Sequence, residues 1–211
     1  MSDPRCPCTA VHDAPRVVLT GGPGAGKTAV LEVVRRRSCD HVVVLPEAAT
    51  IVFGGGFPRR STPLARRRAQ IAIFHVQDQM ERLEVDERSA ALVLCDRGVA
   101  DGLAYWPGAP DEYWRAVGTT ERDAFARYDA IIHLRTPTRE NGYDRMKNPV
   151  RIESAEEAAR IDARILEVWA AHPRRFVVDS SLDFVDKLTR TLALIESLTP
   201  ACCRTRAVAG G

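Results

Sequence analysis

The segment Gly21-Gly22-Pro23-Gly24-Ala25-Gly26-Lys27-Thr28 constrains this chain more than any other stretch. Before it, Arg16-Val17-Val18-Leu19-Thr20 is a β-branched run stopped by glycines, which reads as a buried strand. After it, Ala29, Val30, Val33 and Val34 fall on one helix face between Lys27 and about Arg37. Strand, Gly-x4-Gly-Lys-Thr loop and helix, in that order, form the context that a phosphate loop requires. Glycines let successive backbone N–H groups curl inward without Cβ clashes. Those donors make an anion nest at a helix N-terminus. A glycine-rich turn that binds nothing is the competing reading, and it leaves the flanking strand and helix unexplained.

The expected contacts with a nucleoside triphosphate, ATP or GTP, are Gly21, Gly22, Gly24, Ala25, Gly26, Lys27, Thr28 and Ala29. Lys27 would place a compact charge on the β- and γ-phosphates, and the Thr28 hydroxyl would face Mg²⁺. The chain has only three lysines, Lys27, Lys147 and Lys187, so a lysine in this loop is not background usage.

The rest of the chain alternates short apolar runs with helical patterns. His41–Leu45, Ala91–Cys95, Tyr128–Leu134 and Arg175–Asp179 read as four further buried strands. Helices are expected at 64–88, at 99–127 with a break near Trp106–Pro110, at 154–171 opened by a Ser154/Glu157 capping box, and at 182–198. Ile51–Pro63, with Gly54-Gly55-Gly56 and two prolines, reads as a mobile loop. This pattern predicts an α/β fold: a P-loop NTPase with a five-stranded parallel sheet between two helical layers. Residues 15–199 would form the domain, with a disordered tail at 1–14 and a flexible one at 200–211. In such sheets ligands sit at the C-terminal strand ends. Gly21–Thr28, Glu47, Asp96-Arg97, Arg135 and Asp179-Ser180 all fall there.

Asp96 ends an apolar strand, where a carboxylate can hold Mg²⁺ directly or through water; a cap on the next helix is the lesser alternative, and the two roles can coexist. The next residue, Arg97, is not the second carboxylate that a hydrolytic ATPase uses to activate water. It suits a migrating phosphoryl group or another anion. No Asn-Lys-x-Asp occurs, which argues against a GTPase. Glu47 could orient or deprotonate an acceptor hydroxyl. The basic segment at about 135–152 reads as an Arg-rich lid, with Arg151 and Arg145 ranked first to reach the transferring phosphoryl, ahead of Arg139 and Arg135. The expected catalytic set is therefore Lys27, Glu47, Asp96, Arg97, Arg145 and Arg151, with Thr28 and Asp96 on the metal.

The phosphate loop, Pro46-Glu47-Ala48-Ala49, the helix holding Ala69–Gln77, Cys95-Asp96-Arg97-Gly98 and Val150–Ser154 resemble the small AAA-type P-loop family that includes the nicotinamide riboside kinase domain. The stretch from Asp96-Arg97 to Ala104-Tyr105 is also similar to the Asp-Arg segment of thymidylate kinases. The resemblance implies a nucleoside-kinase-like fold, ATP or GTP with Mg²⁺, and a small acceptor. It leaves the acceptor open, and the family includes proteins with regulatory nucleotide-binding roles.

The function expected is a cytoplasmic phosphotransferase moving a γ-phosphoryl to a small acceptor that is nucleoside-like or carries hydroxyl or phosphate. Its rivals are a nucleotide-dependent switch with a protein or lipid partner and, more remotely, an Arg-rich nucleic-acid-binding ATPase. A net charge of +2 gives no strong field for nucleic acid, and no apolar run approaches a membrane span. A homodimer is a candidate assembly. The six cysteines lack C-x-x-C spacing and no histidine pair has zinc spacing, so all six read as reduced thiols, with a tail metal site at Cys6-Pro7-Cys8 as a remote alternative.

Overall fold

A computed structural model of the chain describes residues 8–87, 90–137, 155–180 and 183–204. Five strands, β1 (Arg16–Thr20), β2 (Val42–Leu45), β3 (Leu92–Asp96), β4 (Ala130–Leu134) and β5 (Arg175–Val178), form one sheet in the order β2-β3-β1-β4-β5. Every neighbouring pair is parallel. The central strands carry apolar residues on both sides because both faces are covered. Val17, Leu19, Leu92, Leu94, Ile132 and Leu134 pack toward α1 (Lys27–Arg37) and α7 (Phe184–Leu198). Their alternates Val18, Val93, Cys95 and Ile131 pack toward the opposite layer.

That second layer is built on α3 (Pro63–Glu87), a 3₁₀ segment at Val99–Tyr105, and the helices α4 (Pro110–Val117), α5 (Glu121–Ala126) and α6 (Ala155–Val168). Phe74, Tyr113, Trp114, Ile165 and Trp169 fill it. The architecture is thus the expected three-layer α/β/α form. Among the described residues no helix is long and apolar enough to cross a membrane.

One expectation fails. The stretch read as a mobile loop from Ile51 begins as a helix, α2 (Ala48–Gly54), with Glu47 at its N-cap. The Gly55 N–H donates to the Ile51 carbonyl at 2.8 Å, so the glycines close the helix rather than preclude it. The break at Trp106–Pro110 is present, and Pro110 opens α4. Ser154 and most of the expected lid, residues 138–152, lie outside the described residues, and so do Arg139, Arg145 and Arg151. In the two segments expected to be tails, Ala14 and Cys203 are buried, at 2% and 1% exposure.

Candidate active site

The phosphate loop leaves β1 at the centre of the sheet, where β3 and β4 flank it and the connections diverge. In a parallel sheet that point opens a crevice for a ligand. Gly21 has φ 137° and lies against β4, where any Cβ would overlap the Leu134 carbonyl oxygen. Gly26, at φ 98°, is the left-handed N-cap that starts α1. Lys27, Thr28 and Ala29 form the first turn of α1. Lys27 folds back so that Nζ donates to the carbonyls of Gly21 (3.0 Å) and Gly22 (3.3 Å). Burial, reinforced by Arg97, lowers the Lys27 pKa to about 8 against the opposing pull of Asp96, Glu47 and Asp101. Thr28 is exposed at the loop's mouth.

Gly22 behaves differently from the expectation. Its N–H is donated to Asp162 Oδ1 on α6 at 3.0 Å. That amide supports the loop from behind, and the free part of the anion nest begins beyond it. Asp162 also accepts from Arg135 Nε at 2.7 Å and lies 3.0 Å from His133 Nε2. Burial works to raise its pKa, but the bonds from His133, Gly22 and Arg135 hold it down at about 2. Thr136 Oγ1 donates to the Pro23 carbonyl at 3.3 Å. Lys187, buried on α7, donates to the carbonyls of Ala25 (2.8 Å) and Arg135 (2.5 Å). The loop is therefore tied to the segment after β4, to α6 and to α7 through side chains that the spacing rules did not single out. Lys187 was the one with a signal, as one of three lysines. Asp162 had none, because an acid on an amphipathic helix reads as surface.

At the tip of β3, Asp96 and Arg97 turn toward the loop. Asp96 Oδ1 is buried and has no hydrogen-bond partner among the described residues. Burial raises its pKa, opposed by Lys27, with Glu47 and Asp101 adding to the rise. A buried, unpartnered carboxylate oxygen beside a phosphate loop is the donor that a hard divalent cation such as Mg²⁺ takes. Arg97 adopts φ 73°, a left-handed backbone uncommon for a residue with a side chain. From there Nε donates to Glu47 Oε1 at 2.5 Å and Nη1 to the Gly21 carbonyl at 3.3 Å. Its guanidinium lies 5.8 Å from the Tyr105 ring centroid. Burial opposes its charge, yet Tyr105, Glu47, Asp101 and Asp96 together leave its pKa above the usual arginine value.

Glu47 also accepts from Thr50 Oγ1 at 2.9 Å. Burial pushes its pKa up, but Arg97 and Lys27 outweigh it and hold the carboxyl below its ordinary value, so it is ionised at neutral pH. Asp101, another residue not foreseen, accepts from Thr20 Oγ1 at 2.6 Å and from Trp169 Nε1 at 2.5 Å, fixing the segment behind Arg97 to β1 and to the turn after α6.

Beside this cluster opens a cleft of about 1420 Å³ between α2, α3, the 3₁₀ segment and α6. Its inner wall is Phe74, Gln77, Tyr105, Trp106 and Tyr113, with Gln70 above them and Glu47 and Arg97 at its junction with the loop. The buried Trp106 Nε1 has no acceptor among the described residues. Arg59, Arg60 and Arg66 line one side of the mouth, and Arg160 and Arg164 the other. Lys27, Glu47, Asp96 and Arg97 are thus brought together at one strand-end site.

Among solved structures, "deoxyadenosine kinase from M.mycoides with bound dATP" superposes with a TM-score of 0.60 at 14% identity, covering 86% of this chain and 98% of that one. Thymidylate kinase from Candida albicans superposes with a TM-score of 0.54 at 12% identity, covering 88% and 92%. These likenesses establish a nucleotide-kinase fold. No curated protein sequence matches the chain. The family model described as "AAA domain" matches residues 16–187. A match over most of its length, together with the loop geometry above, makes this chain a member of that AAA domain family of P-loop proteins.

Proposed function

We propose that this chain is a phosphotransferase that moves the γ-phosphoryl group of ATP or GTP to a small acceptor bound in the cleft beside the phosphate loop. The observation that carries the reading is Arg97. One guanidinium is bonded both to Glu47, which lines the cleft, and to the Gly21 carbonyl, which belongs to the loop. Donor and acceptor sites thus meet at a fixed ion pair.

The loop amides and Lys27 would hold the triphosphate. Asp96 and Thr28 would hold Mg²⁺, which neutralises phosphate charge when bound. Glu47, ionised and lining the cleft, would accept a hydrogen bond from an acceptor hydroxyl and take its proton during transfer. Arg97 would keep Glu47 in register and face the charge developing on the transferring oxygens. The arginines at the mouth, Arg59, Arg60, Arg66, Arg160 and Arg164, favour an acceptor that is itself anionic, and the aromatic wall favours one with a flat ring. Arg145 and Arg151 would complete the charge around the phosphoryl group.

The test is nucleotide-diphosphate release against a panel of nucleosides, nucleoside monophosphates and other small phosphate or carboxylate compounds. Acceptor-dependent turnover with a phosphorylated product supports the proposal. Slow hydrolysis indifferent to every acceptor, coupled to a conformational difference between nucleotide states, would favour a switch instead.

A further inference from the structure

At the edge of the sheet opposite the phosphate loop, four side chains converge from distant parts of the chain. Cys8 and His12 come from the segment before β1, His41 from the residue before β2, and Cys203 from the turn after α7. One ligand atom of each lies within 4.8 Å of every other. We propose that Cys8, His12, His41 and Cys203 form a structural zinc site that fastens the segment before β1 and the turn after α7 to the start of β2.

Three separations carry the geometry. Cys8 Sγ is 3.4 Å from His12 Nε2, Cys203 Sγ is 3.5 Å from the same nitrogen, and Cys203 Sγ is 3.7 Å from His41 Nδ1. A tetrahedral zinc with Zn–S of about 2.3 Å and Zn–N of about 2.0–2.1 Å places its sulfur and nitrogen ligands about 3.5 Å apart. The three edges lie close to that value. Hydrogen bonding explains them less well. His12 Nε2 has one in-plane valence for two thiols, and Cys203 has one proton for two imidazoles. A cation at the centre serves all four atoms at once.

The ligand set also selects the metal. Two thiolates and two imidazoles in tetrahedral array suit zinc, and four protein ligands leave no open position, which marks a structural rather than a catalytic site. Binding would displace the two thiol protons. The surroundings hold the cluster in place. Cys203 is buried at 1% exposure, and its backbone N–H donates to the Pro200 carbonyl at 2.9 Å. Cys39 Sγ lies 3.6 Å from the Cys203 carbonyl oxygen. Linear spacing rules miss this site because only Cys8 and His12 are near neighbours in sequence, while His41 and Cys203 are supplied by the fold.

The experiment uses the full chain, free of any affinity tag. Metal analysis of freshly purified protein should give one zinc per chain. Protein stripped with a chelator should recover one equivalent on titration with zinc against a chromophoric competitor. Cobalt in place of zinc should show the intense ligand-field absorption of a tetrahedral site together with thiolate charge transfer. Cys203→Ser and His41→Ala should each lose the tight site, whereas Cys202→Ser, Cys6→Ser and Lys27→Ala should keep it. If Cys203→Ser does not fold, His41→Ala and the chelated wild type carry the test. The proposal is overturned by protein that binds no equivalent of zinc under competition, by a six-coordinate cobalt spectrum, by a Cys8–Cys203 disulfide in freshly purified protein, or by metal lost with Cys6→Ser but kept with Cys203→Ser.

Discussion

Asp162 offers the sharpest test of how the phosphate loop is held. Its carboxylate is 2% exposed and joins Gly22 N–H, His133 and Arg135. The group titrates at about 2 in the folded chain against an ordinary value of 3.8. That difference corresponds to about 2 kcal/mol of stability at neutral pH. The sign follows from the depressed pKa. The contribution is complete above the unfolded value near 4 and is lost as pH falls through the folded value near 2. Asp162→Asn keeps an oxygen for Gly22 but turns an amide donor toward Arg135, which is itself a donor. Arg135 is 38% exposed and can turn to water, so the cost should stay below the roughly 3–5 kcal/mol of a fully buried broken pair, at about 2–3 kcal/mol. For a domain of this size that means a midpoint lower by about 4–12 °C. Thermal and urea unfolding of wild type and Asp162→Asn, each from pH 7 down to pH 3, measures it. The gap should be widest at neutral pH and narrow to about half by pH 3, because closure needs a pH below the folded value near 2. A variant as stable as wild type at pH 7, or a gap that stays constant down the series, would refute the argument that this carboxylate is the loop's prop.

Three further outcomes follow from the site. Glu47→Gln should lower turnover by about 10²–10⁴ while leaving nucleotide affinity within a few-fold, because only the acceptor's proton loses its base; steady-state kinetics beside nucleotide titration separates the two. Lys27, titrating at about 8, should be partly neutral at alkaline pH, and a polyphosphate should restore its charge. ATP affinity should therefore fall between pH 7 and pH 9, and calorimetry in buffers of different ionisation enthalpy should record proton uptake on binding. Gly21→Ala places a Cβ on the Leu134 carbonyl at a positive φ, so it should destabilise the fold by roughly 3 kcal/mol or more, seen as a depressed unfolding midpoint.

What could be read from the sequence and what could not divide along a physical line. The phosphate loop, the five strands and the Asp96-Arg97 tip are legible because each is a local pattern. β-branched runs such as Val17–Val18 and Ile131–Ile132 need no knowledge of their neighbours, and Gly21 to Thr28 carry their own geometry. Glu47 was legible as a strand-end acid, but the helix it caps was not. Gly54–Gly56 have strong loop preferences, and only packing of Ala48 and its turn against α3 decides that they end a helix. The partners that hold the site are the least legible class. Asp162, Asp101 and His41 have no local pattern at all, and Lys187 is marked only as one of three lysines. Each acquires its role from a contact made across the fold: Asp162 with Gly22, Lys187 with Ala25, Asp101 with Thr20, His41 with Cys203. Arg97 shows the two classes meeting in one residue. Its place after a strand-ending aspartate marks it for anion chemistry, yet its left-handed backbone, its bond to Glu47 and its bond to the Gly21 carbonyl exist only once β1 and β3 lie side by side. A sequence thus discloses which groups could do chemistry, and the parallel sheet supplies the distances at which they do it. The same sheet places four would-be metal ligands at its other edge, of which the sequence offers only Cys8, and then in the company of Cys6.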